Sequence, residues 1–249
     1  MEATWQLRIG YFLVSFPLML FACVARRCNL WEIRNQLCYC MRVVDIYSAC
    51  NLPDSLVQIL IVAEDRRNLY HFGIDPIGIL RAVWVNSTTV ELQGASSLEQ
   101  QFVRVVTARY EKSMRRKLKE QLLAISLCRK RSKIQIATAY LCIAHYGCRL
   151  VGLRGLHSIC GQPLEKCSNR VLCEVVARLK YPEPSIVSLS WRHNIELRSR
   201  YIAKRRSIKS HSLSFSQSHV LSLHKAHISQ GMRHILSRFT NRWLCGAKK

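Results

Sequence analysis

Glu64-Asp65-Arg66-Arg67-Asn68-Leu69-Tyr70-His71-Phe72-Gly73-Ile74-Asp75 is the stretch from which the rest of the chain can be read. An apolar helix leads into it. Pro53-Asp54-Ser55 supplies a start signal, with Asp54 or Ser55 as cap, and Leu56, Ile59, Leu60 and Ala63 recur at helical spacing. Glu64 therefore ends an apolar helix, one turn after Leu60 and Ile61. A carboxylate in that setting is partly desolvated, which suits it to proton transfer. At the other end of the stretch, Asp75-Pro76 starts a second helix over Ile77 to Val85.

Further along, residues 86–97 are polar, contain Gly94 and read as a mobile loop. Helices are expected over Ser97 to Val106, Met114 to Lys130, Lys133 to Tyr146 (capped by Ser132), Asn169 to Leu179 and Trp191 to Arg206. The 114–130 helix is basic and amphipathic, with Leu118, Leu122 and Ile125 on one stripe. Glu120 sits on the flank of that stripe among Arg115, Arg116, Lys117 and Lys119, a setting that keeps a carboxylate ionised. Two carboxylates in opposed environments form the acid/base pattern used on sugars, although most helical glutamates are simply solvated or ion-paired. Residues 28–50 are mixed and Cys-rich without a clear period. Strand signals are scarce, so the body is expected to be mainly α.

The chain has 249 residues, with 38 Lys plus Arg against 15 Asp plus Glu, a formal charge of +23. A hydrophobic content of 49% excludes an intrinsically disordered chain, and ten Gly with six Pro exclude a collagen-like one. The charge predicts an anionic partner: nucleic acid, an acidic membrane surface or a phosphorylated substrate. No recognition-helix or RNA-binding motif is present, so nucleic acid is not expected. Twelve Cys include no CxxC pair, which argues against a zinc site and for small core hydrophobes. After Glu196 there is no acidic residue, so 207–249 reads as a basic, partly disordered tail able to adhere to an anionic surface.

Residues Ile9 to Ala25, IGYFLVSFPLMLFACVA, carry no charge and are stopped by Arg26-Arg27. As a helix they cover about 26 Å, slightly short of a roughly 30 Å bilayer core, and Pro17 would kink them. The stretch reads as a membrane anchor, with a signal segment or a core helix as alternatives. The positive-inside rule, applied to Arg26, Arg27 and Arg34, would leave the C-terminal body in the cytoplasm.

Several motifs follow one another in order. Glu64-Asp65, His71, Gly73 and Asp75 are followed by Gly94-Ala95-Ser96-Ser97-Leu98-Glu99-Gln100-Gln101. Arg116-Lys117-Leu118-Lys119-Glu120 comes next, and then Tyr140-Leu141 with Tyr146-Gly147. This series resembles the peptidoglycan glycosyltransferases of family 51, which comprise the monofunctional transglycosylases and the glycosyltransferase domain of class A penicillin-binding proteins. Their pattern reads EDxxFxxHxGxD, GGSTITQQ, RKxxE and YLN…FG. Gly161-Gln162-Pro163, Glu174 and Arg192-His193-Asn194-Ile195-Glu196-Leu197 echo its later segments. The resemblance covers roughly residues 52–206.

The resemblance implies a lysozyme-like, two-lobed helical domain over 51–206. It would follow an anchor or signal segment at 1–27 and a connecting segment at 28–50, with a smaller lobe from about 76 to 112 near the membrane. It implies polymerisation of lipid II into β-1,4 glycan strands on the periplasmic face of a bacterial inner membrane. Lipid II, a lipid-linked glycan chain, the membrane and other cell-wall synthesis proteins would be the partners. Glu64 would be the general base, and Asp65 and His71 would shape its site. Glu120 would stand at the donor pyrophosphate with Arg104, Lys112, Arg116, Lys117 and Lys119. Ser96, Gln100 and Gln101 would hydrogen-bond sugar and phosphate. No cofactor is required by this reading, and the sequence leaves open a divalent cation such as Mg²⁺ near the pyrophosphate. There is no room for a transpeptidase domain, so penicillin binding is not expected.

The departures from the pattern are Asn68 for Phe, Ala95 for Gly, Ser97 and Glu99 for Thr, Arg104 for the usual Lys and Cys142 for Asn. Glu99 adds negative charge beside a pyrophosphate site, which is unfavourable unless it is paired. Twelve Cys are also unusual for an oxidising compartment. The alternative reading is therefore a catalytically degenerate homologue that binds lipid-linked glycan or cell-wall partners without turnover. A glycan-cutting hydrolase is a further rival, since two carboxylates in a helical fold also cleave glycans.

Overall fold

A computed structural model describes the backbone of residues 2–89 and 94–223 and the side chains of 5–89 and 94–207. The protein is mainly α, with ten α-helices and one two-stranded sheet among the described residues. By packing, the chain divides into Met1–Ala203 and Lys204–Lys249.

Helix α1, Glu2–Arg27, runs through Pro17. Its apolar span, Trp5–Arg27, has 23 residues and a mean hydropathy of 1.9. At 1.5 Å per residue it covers about 34 Å, longer than the uncharged stretch alone and enough for a bilayer core. Leu13, Val14, Phe16 and Leu20 are exposed, whereas Tyr11, Ala22 and Ala25 are buried against the body. Tyr11 stacks on Tyr70 and Phe12 meets Phe72 edge-on, so α1 rests on the 64–75 stretch itself. A left-handed corner at Asn29, Trp31 and Glu32 turns the chain into α2, Ile33–Tyr47.

Helix α2 corrects the expectation of an aperiodic 28–50 segment. Ile33, Leu37, Cys40 and Val44 recur at helical spacing and are all buried. One member of the stripe is a cysteine acting as a small hydrophobe, and burial pushes its thiol up to about 12. Helix α3, Asp54–Glu64, α4, Pro76–Thr88, and α5, Leu98–Thr107, follow the sequence reading closely, except that Pro53 and not Asp54 or Ser55 stands at the start of α3, with no side-chain cap. Asp75 caps α4 by accepting the Gly78 N–H, with Pro76 at the first helical position. The loop expected over 86–97 is helical to Thr88, and residues 90–93 lie outside the described residues.

Helix α6, Met114–Cys128, and α7, Lys133–Ile143, form the centre of the core. Leu122, Leu123, Ala124, Ile125 and Leu127 are consecutive or nearly so, and all are buried. This second half of α6 is apolar almost all round, as suits a helix on which α1, α2 and α5 pack, while its first half carries Arg115, Arg116, Lys117, Lys119 and Glu120. Helix α7 ends earlier than Tyr146, because the Tyr146 hydroxyl is fully buried and donates to the Leu141 carbonyl at 2.7 Å. That bond takes up one of the carbonyls a helix end leaves unpaired. Tyr146 belongs to β1, His145–Gly147, which pairs antiparallel with β2, Leu150–Val151. Neither this hairpin nor α8, Gly152–Cys160, which follows it, is among the expected elements, although Leu153, Leu156, Ile159 and Cys160 recur at helical spacing. Helix α9, Asn169–Lys180, is capped by Ser168 and packs on α3. The last helix, α10, is Leu189–Leu223. It runs past Arg206, so the first part of the tail expected over 207–249 is helical to Leu223, and residues 224–249 lie outside the described residues.

Candidate active site

Helix α3 stops at Glu64 because Asp65 leaves helical geometry, at φ −141° and ψ 75°. The Asp65 carboxylate then gathers the loop around itself. His71 Nε2 lies 2.9 Å from both of its oxygens, Asn68 Nδ2 donates at 3.2 Å, and the Leu98 N–H donates at 3.1 Å. Asp65 and His71 are buried, with side-chain exposures of 3% and 0%. Leu98 is the first residue of α5, so Asp65 also docks the positive end of that helix. Ser97 continues the join by donating to the Gly73 carbonyl at 2.6 Å. Gly73 itself is required, since its φ is +95° and a Cβ would lie 2.6 Å from the Ala124 carbonyl of α6. The 64–75 stretch is thereby clamped between α5 and α6.

Burial alone would raise the Asp65 carboxyl, but the bond and charge of His71, the Leu98 N–H and Lys133 hold it below its ordinary value. A carboxyl lower in the folded than in the unfolded state stabilises the fold above the unfolded value of about 3.9 and ceases to do so as pH falls through the folded one. The unfolding temperature of the parent is therefore expected to exceed that of Asp65→Asn most above about pH 5. The difference should shrink below about pH 4. Thermal melts across this range check the sign.

Glu64 is paired on both oxygens. Arg198 of α10 donates through Nη2 to Oε1 at 3.0 Å and also to the Ala63 carbonyl, and Gln101 Nε2 donates to Oε2 at 3.2 Å. Tyr140 of α7 donates to Gln101 Oε1 at 3.0 Å and fixes which way that amide points. Arg198 is the residue that sequence reasoning missed. It lies 134 positions from Glu64, one residue past the last motif quoted above, and no local pattern marks it.

Glu120 lies on the other side of one turn of α5. Its side chain is 3% exposed and meets three cations: Arg116 at 2.6 Å, Lys117 at 2.9 Å and Arg104 at 3.1 Å. Ser96 Oγ accepts from Lys117 at 2.8 Å and from Arg104 at 3.2 Å. Three cations around one anion leave a net charge of +2. Burial pushes the Lys117 ammonium below its usual value, and Arg104 and Arg116 push the same way against the pull of Glu120. The cluster holds more positive charge than its own carboxylate balances. Gln101 and Arg104 are three apart on α5 and therefore neighbours on its surface. One helical turn thus supports both glutamates.

The remaining expectations divide. Lys119 does not join Glu120: it is buried, and the charges around it are Arg109, Glu32, Arg115 and Glu111. Arg115 lies over the Trp31 ring. Helical neighbours meet at three and four residues apart, so Arg116 and Lys117 reach Glu120 while Lys119 turns about 100° away. Lys112 is exposed on the segment between α5 and α6. Gln100 is fully buried, and its Oε1 accepts the Ser97 N–H at 3.0 Å in a capping box. Its Oε1 thus serves the start of α5, while its Nε2 is buried without a partner. Glu99 turns away from the Arg104 cluster and is paired, with Lys133 at 2.7 Å and Asn68 at 3.3 Å. Cys142 is buried, its thiol pushed up to about 12 by burial and then by Cys50.

Carboxylates stand in two places where a cation could be held. Asp65, His71 and Glu99 bring ligand atoms within 4.8 Å of one another. The Lys133 ammonium already stands there, 2.7 Å from Glu99 and 3.4 Å from His71 Nδ1, and supplies the positive charge. At Glu120 both oxygens are taken by cations, so this carboxylate has no free oxygen to offer a divalent cation.

Comparison with known proteins agrees with the motif series. The family model described as Transglycosylase matches residues 41–170. Penicillin-binding protein 1A of Aquifex aeolicus is 37% identical over 91 residues, 36% of this chain and 12% of its own length. Penicillin-binding protein 1A of Vibrio cholerae is 38% identical over 103 residues, 41% of this chain and 12% of its own. Penicillin-binding protein 1B of Haemophilus influenzae is 39% identical over 92 residues, 36% of this chain and 12% of its own. The chain thus spans only a small part of the curated relatives it matches.

Proposed function

The chain belongs to the transglycosylase family, whose domain is a lysozyme-like helical one, and from that premise we propose that it is a peptidoglycan glycosyltransferase polymerising lipid II into β-1,4 glycan strands. The observation that carries this reading is the pairing contrast across one turn of α5. Among the described residues Glu64 pairs with Arg198, and Glu120 is buried among Arg104, Arg116 and Lys117.

In the proposed reaction Glu64 takes the proton from the 4-hydroxyl of the acceptor sugar, and that oxygen attacks the anomeric carbon of the lipid-linked donor with inversion. The carbon–oxygen bond to pyrophosphate breaks, and the electron pair leaves with the lipid pyrophosphate. Arg104, Arg116 and Lys117 stabilise the departing negative charge, with Ser96 donating a further hydrogen bond. Arg104 suits this role in place of the more usual Lys, because its planar fork matches phosphate oxygens. Glu120 holds the three cations in one place. Asp65 and His71 support Glu64 from behind, and Gln101 orients it. Helix α1 would cross the inner membrane and place the domain on the periplasmic side, beside its lipid-borne substrate and other cell-wall synthesis proteins.

The second reading, a homologue that binds lipid-linked glycan without turnover, draws on Asn68, Glu99 and Cys142. The test is lipid II polymerisation by the purified full chain in detergent. Glycan strands, absent when lipid II is omitted, are expected. Folded protein that binds lipid II and yields no strands would establish the second reading.

A further inference from the structure

Asn68 and Glu99 stand where the family pattern has Phe and Thr. They are 31 positions apart, yet they touch: Asn68 Nδ2 donates to Glu99 Oε1 at 3.3 Å. The same Nδ2 donates to Asp65 Oδ2 at 3.2 Å. An amide nitrogen has two hydrogens, and here one goes to each carboxylate. Asn68 and Glu99 are each 1% exposed. Lys133 completes the group, 2.7 Å from Glu99 and 3.4 Å from His71 Nδ1, which in turn lies opposite the Nε2 that meets Asp65. Burial works against the Lys133 ammonium, but the charge and bond of Glu99 together with Cys128 and Asp65 hold it above its usual value.

We infer that Asn68 and Glu99 are one coupled exchange, a pair of positioning residues whose amide bridge and ion pair with Lys133 hold Asp65 and the start of α5, and through Gln101 the carboxylate of Glu64. The coupling follows from what each partner needs. Phe at 68 with Glu99 kept would leave two buried carboxylates without their shared donor, one of them facing an aromatic ring. Thr at 99 with Asn68 kept would leave an amide hydrogen unmet, Lys133 without its carboxylate and a gap where the longer side chain was. With both changed, only Asp65 remains as a buried anion. Asp65 then keeps its His71 and Leu98 partners, the shorter Thr makes room for the ring, and the Lys133 side chain, 22% exposed, is left to water. The two departures therefore compensate each other and are not separate losses from the motif.

The inference rests on the transferase reading only for its kinetic arm. In the full chain, Asn68→Phe and Glu99→Thr are each expected to lower the kcat of lipid II polymerisation by about tenfold with KM little changed, because Glu64 is displaced and substrate contacts are not. The double variant should return to within about threefold of the parent, a non-additivity within the range for residues in contact. Glu99→Gln, which keeps the shape and removes the charge, should be lowered without rescue by Asn68→Phe. Unfolding midpoints of the same four proteins read the coupling without any activity: each single variant falls and the double recovers. Additive effects in both measurements would overturn the inference. A parent that makes no glycan would sink the transferase reading alone and leave the melts to decide the coupling. Insoluble single variants beside a soluble double would support it, and an insoluble double beside soluble singles would refute it.

Discussion

Glu64→Gln is expected to lower glycan polymerisation by about 10²–10⁴-fold, the range in which a positioned general base contributes. The substitution is nearly isosteric, so binding geometry is retained while the group that accepts the hydroxyl proton is removed. The structure also says what else changes. Arg198 keeps the Ala63 carbonyl but loses an anionic partner, and the new amide brings a second nitrogen towards Gln101 Nε2. Gln101 cannot turn over freely to accommodate it, because Tyr140 donates to its Oε1 at 3.0 Å. A hydrogen bond to a charged partner is worth about 1.5–3 kcal/mol. The side chains of Glu64 and Arg198 are 14% and 15% exposed, which lets water take over part of that. A loss of about 1 kcal/mol, or about 2–4 °C in the unfolding midpoint of a domain of this size, is expected beside the kinetic effect. Lipid II turnover and thermal melts on one preparation separate the two. A variant that keeps more than about a tenth of parental turnover would remove Glu64 from the role of base.

The parts of this site that the sequence shows are those written locally. The helix starts at Asp75-Pro76, Ser97 and Ser132 are read from side chains that bond within three residues of themselves, and the structure has each of them as a cap. Glu64 at the end of an apolar helix and Glu120 among cations are legible for the same reason. What lies beyond local reach is pairing across the fold. Arg198 reaches Glu64, Lys133 reaches Glu99, and Asn68 bridges to Glu99, and each partner sits 31 or more positions away in sequence. Nearness in sequence also misleads. Lys119 is adjacent to Glu120 in the chain but turned away from it, while Arg104, sixteen positions earlier, is bonded to both of its oxygens. Helix α2 was hidden for a different reason: its buried stripe passes through Cys40, a residue that reads as chemistry before it reads as core.

Glu120→Gln should lower stability and turnover together, which distinguishes it from Glu64→Gln. Removing one member of a buried ion pair costs about 3–5 kcal/mol, because the partner charges are left uncompensated. Here three partners lose the same carboxylate. Their side chains are 14–31% exposed, so water can take up part of the charge and the lower end applies, about 3 kcal/mol. That corresponds to a fall of about 6–12 °C in unfolding midpoint. Polymerisation by the protein that remains folded should drop by about 10²–10³-fold, the effect of losing one preorganised electrostatic contact, because Arg104, Arg116 and Lys117 no longer share a fixed anchor. The same argument predicts a response to added anion. Inorganic pyrophosphate should raise the unfolding midpoint of the parent, and raise that of Glu120→Gln by more, since the variant cluster carries +3 in place of +2. High salt should reduce both shifts by screening. Melts with and without pyrophosphate, at low and high ionic strength, check this without any glycan substrate. A cluster indifferent to pyrophosphate in both proteins would not be an anion site, and the assignment of Arg104, Arg116 and Lys117 to the departing pyrophosphate would fall with it.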